Sequence, residues 1–399
     1  MKRFIYWTIA LLAGVGLGVT GIGWVTATMT FIATVYTRVF QLLAVPTIIL
    51  TVILTLASFG RQGEMRHIFL RALGYTLATT FVASAVGLAL YLIIKPGLLP
   101  LEAAAAAAPT EVSTITYTDH LLSVVPDNVV RPFLEGNVLS LLLLAFAVGL
   151  ALSRLPENES RRTLISVLQG LQDVLFLLIR GLIWTLPLGI AAFAAQLSAQ
   201  LSSGVAVVDA IGQYVLVIVG GNIVQIFVVL PLFLLARGLN PVRTFLRMMP
   251  AVITAFFTKS SAATLPVTMR TAEERLGVSP QVSRFVLPLC TTINMNGCSA
   301  FILVTSFFVM QHGGVDLTWP TLLLWLVVSV VAAVGNAGVP MGCYFLTLSL
   351  MAGMGMPLTV MGVILPIYTL LDMLETAENV WSDSCVAAMT NIEELKVKS

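Results

Sequence analysis

Six oxygen-bearing side chains stand close together near the end of this chain: Asp372, Glu375, Thr376, Glu378, Asn379 and Asp383. The segment that carries them is otherwise apolar enough for a membrane interior. A carboxylate at a bilayer centre costs roughly 2.5–3.5 kcal/mol on insertion scales, so these four are tolerated only if they face protein, water or cations. At about 100° per helical residue, Asp372, Thr376, Asn379 and Asp383 fall within an arc of roughly 60°, with Glu375 flanking it and Trp381 opposite. One helix face is then a ladder of oxygen ligands, suited to an ammonium group, a hydroxyl or a hard cation.

The elements that must position this ladder are membrane helices. The chain has 399 residues, 58% hydrophobic and 10% charged, with a mean hydropathy of +0.97. Soluble domains are about 25% charged, so the composition indicates a polytopic protein embedded in a lipid bilayer. A net charge of +2 gives no argument for nucleic acid, because the basic residues collect in short loops. Cys290, Cys298, Cys343 and Cys385 lie in apolar segments without CxxC spacing and read as buried free thiols. His67, His120 and His312 are scattered, and no His/Cys cluster has metal-ligand spacing. The first apolar run follows only Lys2 and Arg3 and has no clear cleavage site, so it reads as a retained span.

Apolar runs of spanning length cover 4–23, 24–59, 69–97, 137–153, 163–199 and 205–236. Arginines follow the second, fourth and sixth runs (Arg61, Arg66, Arg71; Arg154, Arg161, Arg162; Arg237, Arg243, Arg247), which predicts a cytoplasmic N-terminus. Residues 98–135 read as an external loop containing the low-complexity run Ala103 to Ala108. The sequon at Asn158 falls on the cytoplasmic side, where glycosylation is not expected.

After Arg247 the apolar segments are interrupted twice in a similar way. Phe257-Thr258-Lys259-Ser260-Ser261-Ala262-Ala263-Thr264-Leu265-Pro266 and Gly335-Asn336-Ala337-Gly338-Val339-Pro340-Met341-Gly342 each lie between half-length apolar arms, and a longer span follows each. Non-helical backbone at membrane depth is allowed only where it lines a cavity or is buried in protein. A matching pair of such breaks points to a transport site at a repeat interface. A third break, Thr291-Thr292-Ile293-Asn294-Met295-Asn296-Gly297, follows Pro288 and predicts an unwound helix with free carbonyls. Together with Asn379 and Asp383 these would make a cation site of hard oxygens, with sodium as the physical default.

These segments resemble the dicarboxylate/amino acid:cation symporter family, which includes the archaeal aspartate and mammalian excitatory amino acid transporters. SSAATLPVTMR is similar to the serine-rich tip of that family's first hairpin, NMNG to its unwound NMDG motif, GNAGVP to its second hairpin tip, and DMLETAENVWSD to its final substrate-binding helix. The resemblance implies an all-α protein with eight transmembrane helices, two re-entrant hairpins and inverted repeats. It implies a homotrimer in the plasma membrane (a bacterial inner membrane), with both termini cytoplasmic. It further implies a scaffold over 1–72 and 98–204, and a transport domain over 73–97 and 205–399 that moves as an elevator. No cofactor and no enzymatic activity are expected, only coupling ions.

Carried over position by position, Asp372 matches the carboxylate that holds the substrate's amino group, and Thr376 and Asn379 its hydroxyl and amide contacts. Ser260, Ser261 and Gly338 match the groups that clasp the α-carboxylate. Asp383, Asn379, Asn294 and the Cys290 carbonyl match a first sodium site. Thr292, Met295 and backbone at Ala333, Val334 and Asn336 match a second. Thr79, Thr80 and Asn294 match part of a deeper third, where Asn296 replaces the family's acid and Thr76 its tyrosine. Without that negative charge the expectation is two sodium ions per cycle, with or without a proton.

Glu375 is the departure with the largest consequence, because the family's acidic amino acid carriers have an arginine there. Like charges about 4 Å apart repel by about 4 kcal/mol at an effective dielectric near 20, a roughly thousandfold bias. A cationic or polar neutral amino acid is therefore expected over an acidic one. A protonated Glu375, or one paired with Lys259, would weaken that inference. Glu378 is expected to meet a basic group or an aqueous crevice, and Tyr368 to pack. Symport of an acidic amino acid or a dicarboxylate is the alternative within the class, although Asp372 argues for an amino group. Outside it, an ion channel needs only a polar-lined helix. An intramembrane aspartyl hydrolase needs two facing carboxylates, whereas Asp372 and Asp383 lie on one helix about 16 Å apart.

Overall fold

A computed structural model describes residues 2–57, 66–99, 125–135, 138–200, 204–334, 336 and 341–398, and among these the secondary structure is helical throughout. In chain order the helices are α1 (Lys2–Val19), α2 (Gly23–Ala57), α3 (Arg66–Ile94), α4 (Arg131–Glu135), α5 (Val138–Arg154), α6 (Glu159–Gln200), α7 (Gly204–Val224), α8 (Leu230–Ala236), α9 (Pro241–Thr258) and α10 (Ser261–Thr271). They continue as α11 (Pro280–Ile293), α12 (Asn296–His312), α13 (Trp319–Val334), α14 (Gly342–Gly353) and α15 (Thr359–Lys398). A π-helical turn, Gln225–Val229, joins α7 to α8.

Among the described residues, five helical stretches are long and apolar enough to cross a bilayer: His67–Ile94, Glu159–Leu182, Val208–Ala236, Pro280–His312 and Thr359–Leu395. Several other helices are much shorter. At 1.5 Å per residue, the 11 residues of α10 and the 12 of α14 reach only about 16 and 18 Å, roughly half of a 30 Å hydrocarbon core. The breaks that create them are locally encoded. Asn240 caps α9 by accepting from the Arg243 amide, and Pro241 sits at its first position, where a missing N–H costs nothing. Lys259 turns the chain in a left-handed conformation (φ 54°), after which the Ser260 side chain accepts from the Ala263 amide to start α10. At the third break α11 stops at Ile293, and Asn294 (φ −95°, ψ 68°) and Met295 (φ −107°, ψ 66°) are both non-helical before α12 begins.

Packing separates two sets of helices. α6 lies against α1 and α2, and α2 against α5. In the other set α12 packs on α3, α13, α14 and α15, while α15 also packs on α9 and α11. The sets meet where α14 touches α2 and α15 touches α6. One expectation is overturned here. Cys298 and Cys343, read as free thiols, are joined as a disulfide with Cα atoms 5.4 Å apart, because α12 and α14 begin side by side despite 45 residues of separation. Cys290 and Cys385 are free and buried, as expected.

Candidate functional site

The polar ladder is possible because its helix is enclosed. From Glu375 to Asn391 every side chain of α15 is buried, with α3, α9, α11 and α12 packed around it. Close approach of α12 depends on Gly297, where an added Cβ would lie 3.0 Å from both Cα and Cβ of Glu375. Any side chain there would push the two helices apart.

One polar group is centred on two carboxylates. Asp372 (4% exposed) and Glu375 (1% exposed) both reach the Tyr368 hydroxyl, at 3.4 Å and 3.2 Å. A hydroxyl has one proton to donate, so it serves one carboxylate at a time. Asp372 Oδ2 also accepts from the Met341 amide (3.2 Å), just before α14. Thr376 donates back to the Asp372 carbonyl at 2.6 Å. Lys259, at the turn between α9 and α10, donates to the Thr369 carbonyl (3.2 Å), and its charge bears on Asp372. Glu375 Oε1 is buried without a hydrogen-bond partner among the described residues.

A second group lies about two to three turns further along α15. Asp383 (2% exposed) accepts from Asn294 Nδ2 at 2.9 Å, and the same amide donates to Ser382 (2.9 Å). Asn294 Oδ1 accepts from Thr79 (3.2 Å). Asn296 donates to Ser382 (2.7 Å) and accepts from Thr80 (2.8 Å). Gln225, in the π turn, donates to the Thr79 carbonyl at 3.1 Å. The non-helical backbone at Asn294 and Met295 is therefore held by side-chain amides and hydroxyls from α3 and α15. The carboxylate, the amide oxygen, the hydroxyls and the nearby Cys290 carbonyl are hard oxygens, the ligand class that small cations such as sodium take. That carbonyl already accepts from the Asn294 amide (2.8 Å), which leaves it one lone pair.

A third group is soft. Asn336 Nδ2 lies 2.8 Å from Cys298 Sγ, 3.1 Å from Cys343 Sγ and 4.0 Å from Met295 Sδ. Asn336 Oδ1 is buried without a hydrogen-bond partner among the described residues, and the Asn336 amide donates to the Ala333 carbonyl (3.0 Å).

The structure thus assembles Asp372, Glu375 and Thr376 in one place, and Asn294, Asp383, Thr79 and Thr80 in another. Asn379 joins the α12 start instead, accepting from the Gly297 amide at 3.0 Å. Ser260 and Ser261 are buried at the α9–α10 turn. The Thr292 hydroxyl donates back to the Leu289 carbonyl, and Val334 closes α13. Gly338 lies outside the described residues.

Two expectations fail. Among the described residues Glu378 meets neither a basic group nor a crevice: it is 1% exposed, and neither carboxyl oxygen has a hydrogen-bond partner there, because α15 is enclosed on that side too. Tyr368 does more than pack, since its ring sits against Phe301 and Tyr344 while its hydroxyl bridges the two carboxylates. Sequence reasoning also missed Ser382, Gln225 and the sulfur pair. Ser382, next to Asp383, could have been found as a hydroxyl on an enclosed helix face, whereas Gln225 gave no signal.

Against known proteins, a family model described as the sodium:dicarboxylate symporter family matches residues 4–392. Neutral amino acid transporter B(0) of Mus musculus is 29% identical over 438 residues, covering 94% of this chain and 77% of that protein. Neutral amino acid transporter A of Homo sapiens is 28% identical over 432 residues, covering 95% of this chain and 79% of its own. A putative sodium-dependent excitatory amino acid transporter of Caenorhabditis elegans is 27% identical over 392 residues, covering 88% and 73%.

Proposed function

We propose a function from one premise, that the chain belongs to the sodium:dicarboxylate symporter family: it carries an amino acid across a bilayer coupled to sodium, and favours a cationic or polar neutral side chain over an acidic one. The family and its relatives are transporters, not enzymes. Relatives named for neutral amino acids support the amino acid cargo, and a relative named sodium-dependent supports the ion.

The observation that carries the substrate reading is Glu375. It is buried beside Asp372 with one carboxyl oxygen unpartnered. A buried acceptor without a donor costs about 1–3 kcal/mol, which a bound hydroxyl, amide, ammonium or guanidinium would recover. A substrate carboxylate would add a third negative group to Asp372 and Glu375. In this reading Asp372 takes the amino group, Thr376 and Asn379 assist, and Ser260, Ser261 and Gly338 clasp the α-carboxylate. Sodium occupies Asp383, Asn294 and the Cys290 carbonyl, with Asn379 completing that site. A second ion binds near Thr292, Met295 and the backbone of Ala333, Val334 and Asn336. Thr79 and Thr80 hold the amide network in place of a third ion.

The same proposal takes α1, α2, α5 and α6 as a scaffold in a homotrimer. The set built on α3 and α7 to α15 moves against it, with α9–α10 and α13–α14 as re-entrant hairpins. The half-span lengths of α10 and α14 and the separate packing of the two sets support this. Reconstitution into proteoliposomes under an inward sodium gradient tests it, comparing arginine, lysine, serine, glutamine, aspartate and succinate, with a proton gradient as control. Sodium-driven accumulation of a cationic or neutral amino acid is expected. Accumulation of aspartate or succinate alone would keep the family and overturn the role of Glu375.

A further inference from the structure

Cys298, Cys343 and Glu375 each present one ligand atom within 4.8 Å of the others, and all three are buried. They come from three elements: the first turn of α12, the first turn of α14 and the middle of α15. Two further facts point to a ligand at this spot. Glu375 Oε1 has no hydrogen-bond partner, and Asn336, whose amide nitrogen touches both sulfurs, has its Oδ1 buried and unpartnered as well. The cluster therefore offers two sulfurs, whose donor is a side-chain amide, and two oxygens without donors among the described residues.

We propose that the reduced Cys298–Cys343 pair with Glu375, joined by Asn336 Oδ1 once its amide turns to exchange Nδ2 for Oδ1 toward the sulfurs, is a binding site for a thiophilic divalent cation of the zinc class, distinct from the hard-oxygen cluster at Asp383. Ligand softness separates the two ions. Thiolates select zinc and its congeners, whereas sodium is bound by oxygen alone. Tetrahedral bonds of about 2.3 Å to sulfur and about 2.0–2.2 Å to carboxylate oxygen set ligand separations near 3.5–3.8 Å, which the sulfurs reach when the S–S bond opens and which lie inside the 4.8 Å that encloses the three ligand atoms. Such an ion would tie α12, α14 and α15 together beside Asp372. The disulfide and the metal are mutually exclusive occupants. A phosphine or dithiol reductant supplies the two electrons that open the S–S bond, with two protons completing the thiols. Metal binding then releases those two protons to solvent.

The test uses the full-length protein in detergent, reduced with a phosphine and titrated with Co²⁺ as a spectroscopic probe. One equivalent of Co²⁺ is expected to give a thiolate-to-cobalt charge-transfer absorption that Zn²⁺ displaces. The same sample oxidised to the disulfide should give no such band, a comparison that needs no substitution. Cys298→Ser and Cys343→Ser should each abolish the two-thiolate band, and the double variant Cys290→Ser/Cys385→Ser should keep it. Glu375→Gln should weaken Co²⁺ binding by at least the roughly 10–100-fold that losing an outer-shell partner costs. No band in the reduced protein, or a band that survives oxidation or moves with Cys290 and Cys385, overturns the assignment. Because the readout is absorption and not uptake, it stands whichever amino acid is carried.

Discussion

The two polar centres on α15 differ in how completely they satisfy themselves. Around Asp383, side-chain amides and hydroxyls of Asn294, Asn296, Ser382, Thr79 and Thr80 interlock, and each of these residues has a partner. Around Asp372 and Glu375, one tyrosine hydroxyl is shared by two carboxylates, and a carboxyl oxygen of Glu375 has nothing to accept from. A closed network fixes geometry before any ion arrives, while an open one gains most when a ligand completes it. The first centre suits an ion bound in a set shape. The second suits a cargo whose donors replace what the protein leaves out.

Reversing the charge of the open centre should have the largest effect. Glu375→Arg is predicted to move relative uptake toward aspartate and away from cationic amino acids by up to about a thousandfold. Competition uptake measures it, and an unchanged preference would remove Glu375 from the pocket. At the closed centre, Asp383→Asn keeps the shape but removes the charge. Charge-assisted contacts worth about 1.5–3 kcal/mol correspond to roughly 10–150-fold, so the sodium concentration for half-maximal uptake should rise by that order. Sodium dependence like that of the wild type would mean that the ion sits elsewhere.

Ser382→Ala tests whether the closed network is also structural. It strips an acceptor from the Asn294 amide and from the Asn296 amide, and should cost about 1–3 kcal/mol, read as a lower thermal midpoint. Equal loss from a comparable deletion in the open centre would erase the contrast. That deletion is Tyr368→Phe, which keeps the ring packing and removes a shared hydrogen bond. It should change substrate half-saturation by about fivefold, near 1 kcal/mol, with little change in thermal midpoint.

Much of this site was legible because its signals are local. The carboxylates at Asp372 and Asp383, the capping serine Ser260, and the Asn-Met-Asn break are written in consecutive residues and in helical periodicity. The three breaks ended helices where expected. What escaped depends on distance in sequence or on the environment of a whole helix. Cys298 and Cys343 meet only because α14 folds back onto α12. Periodicity assigned Glu378 to a wetter face, but α15 has none along this stretch, so the helical wheel sorted neighbours without sorting exposure. The Tyr368 hydroxyl was hidden for a similar reason: an aromatic one turn before Asp372 reads as packing, and its bridging role appears only when two acids converge on it.

The central claim is that the open centre is completed by a donor-bearing amino acid in the presence of sodium. Its most direct test is calorimetric titration of the purified protein with serine, glutamine, lysine, arginine and aspartate, in sodium and in choline. The account predicts binding of a neutral or cationic amino acid in sodium, weak or absent binding in choline, and aspartate as the poorest ligand. Tight aspartate binding, or affinity indifferent to sodium, would contradict it.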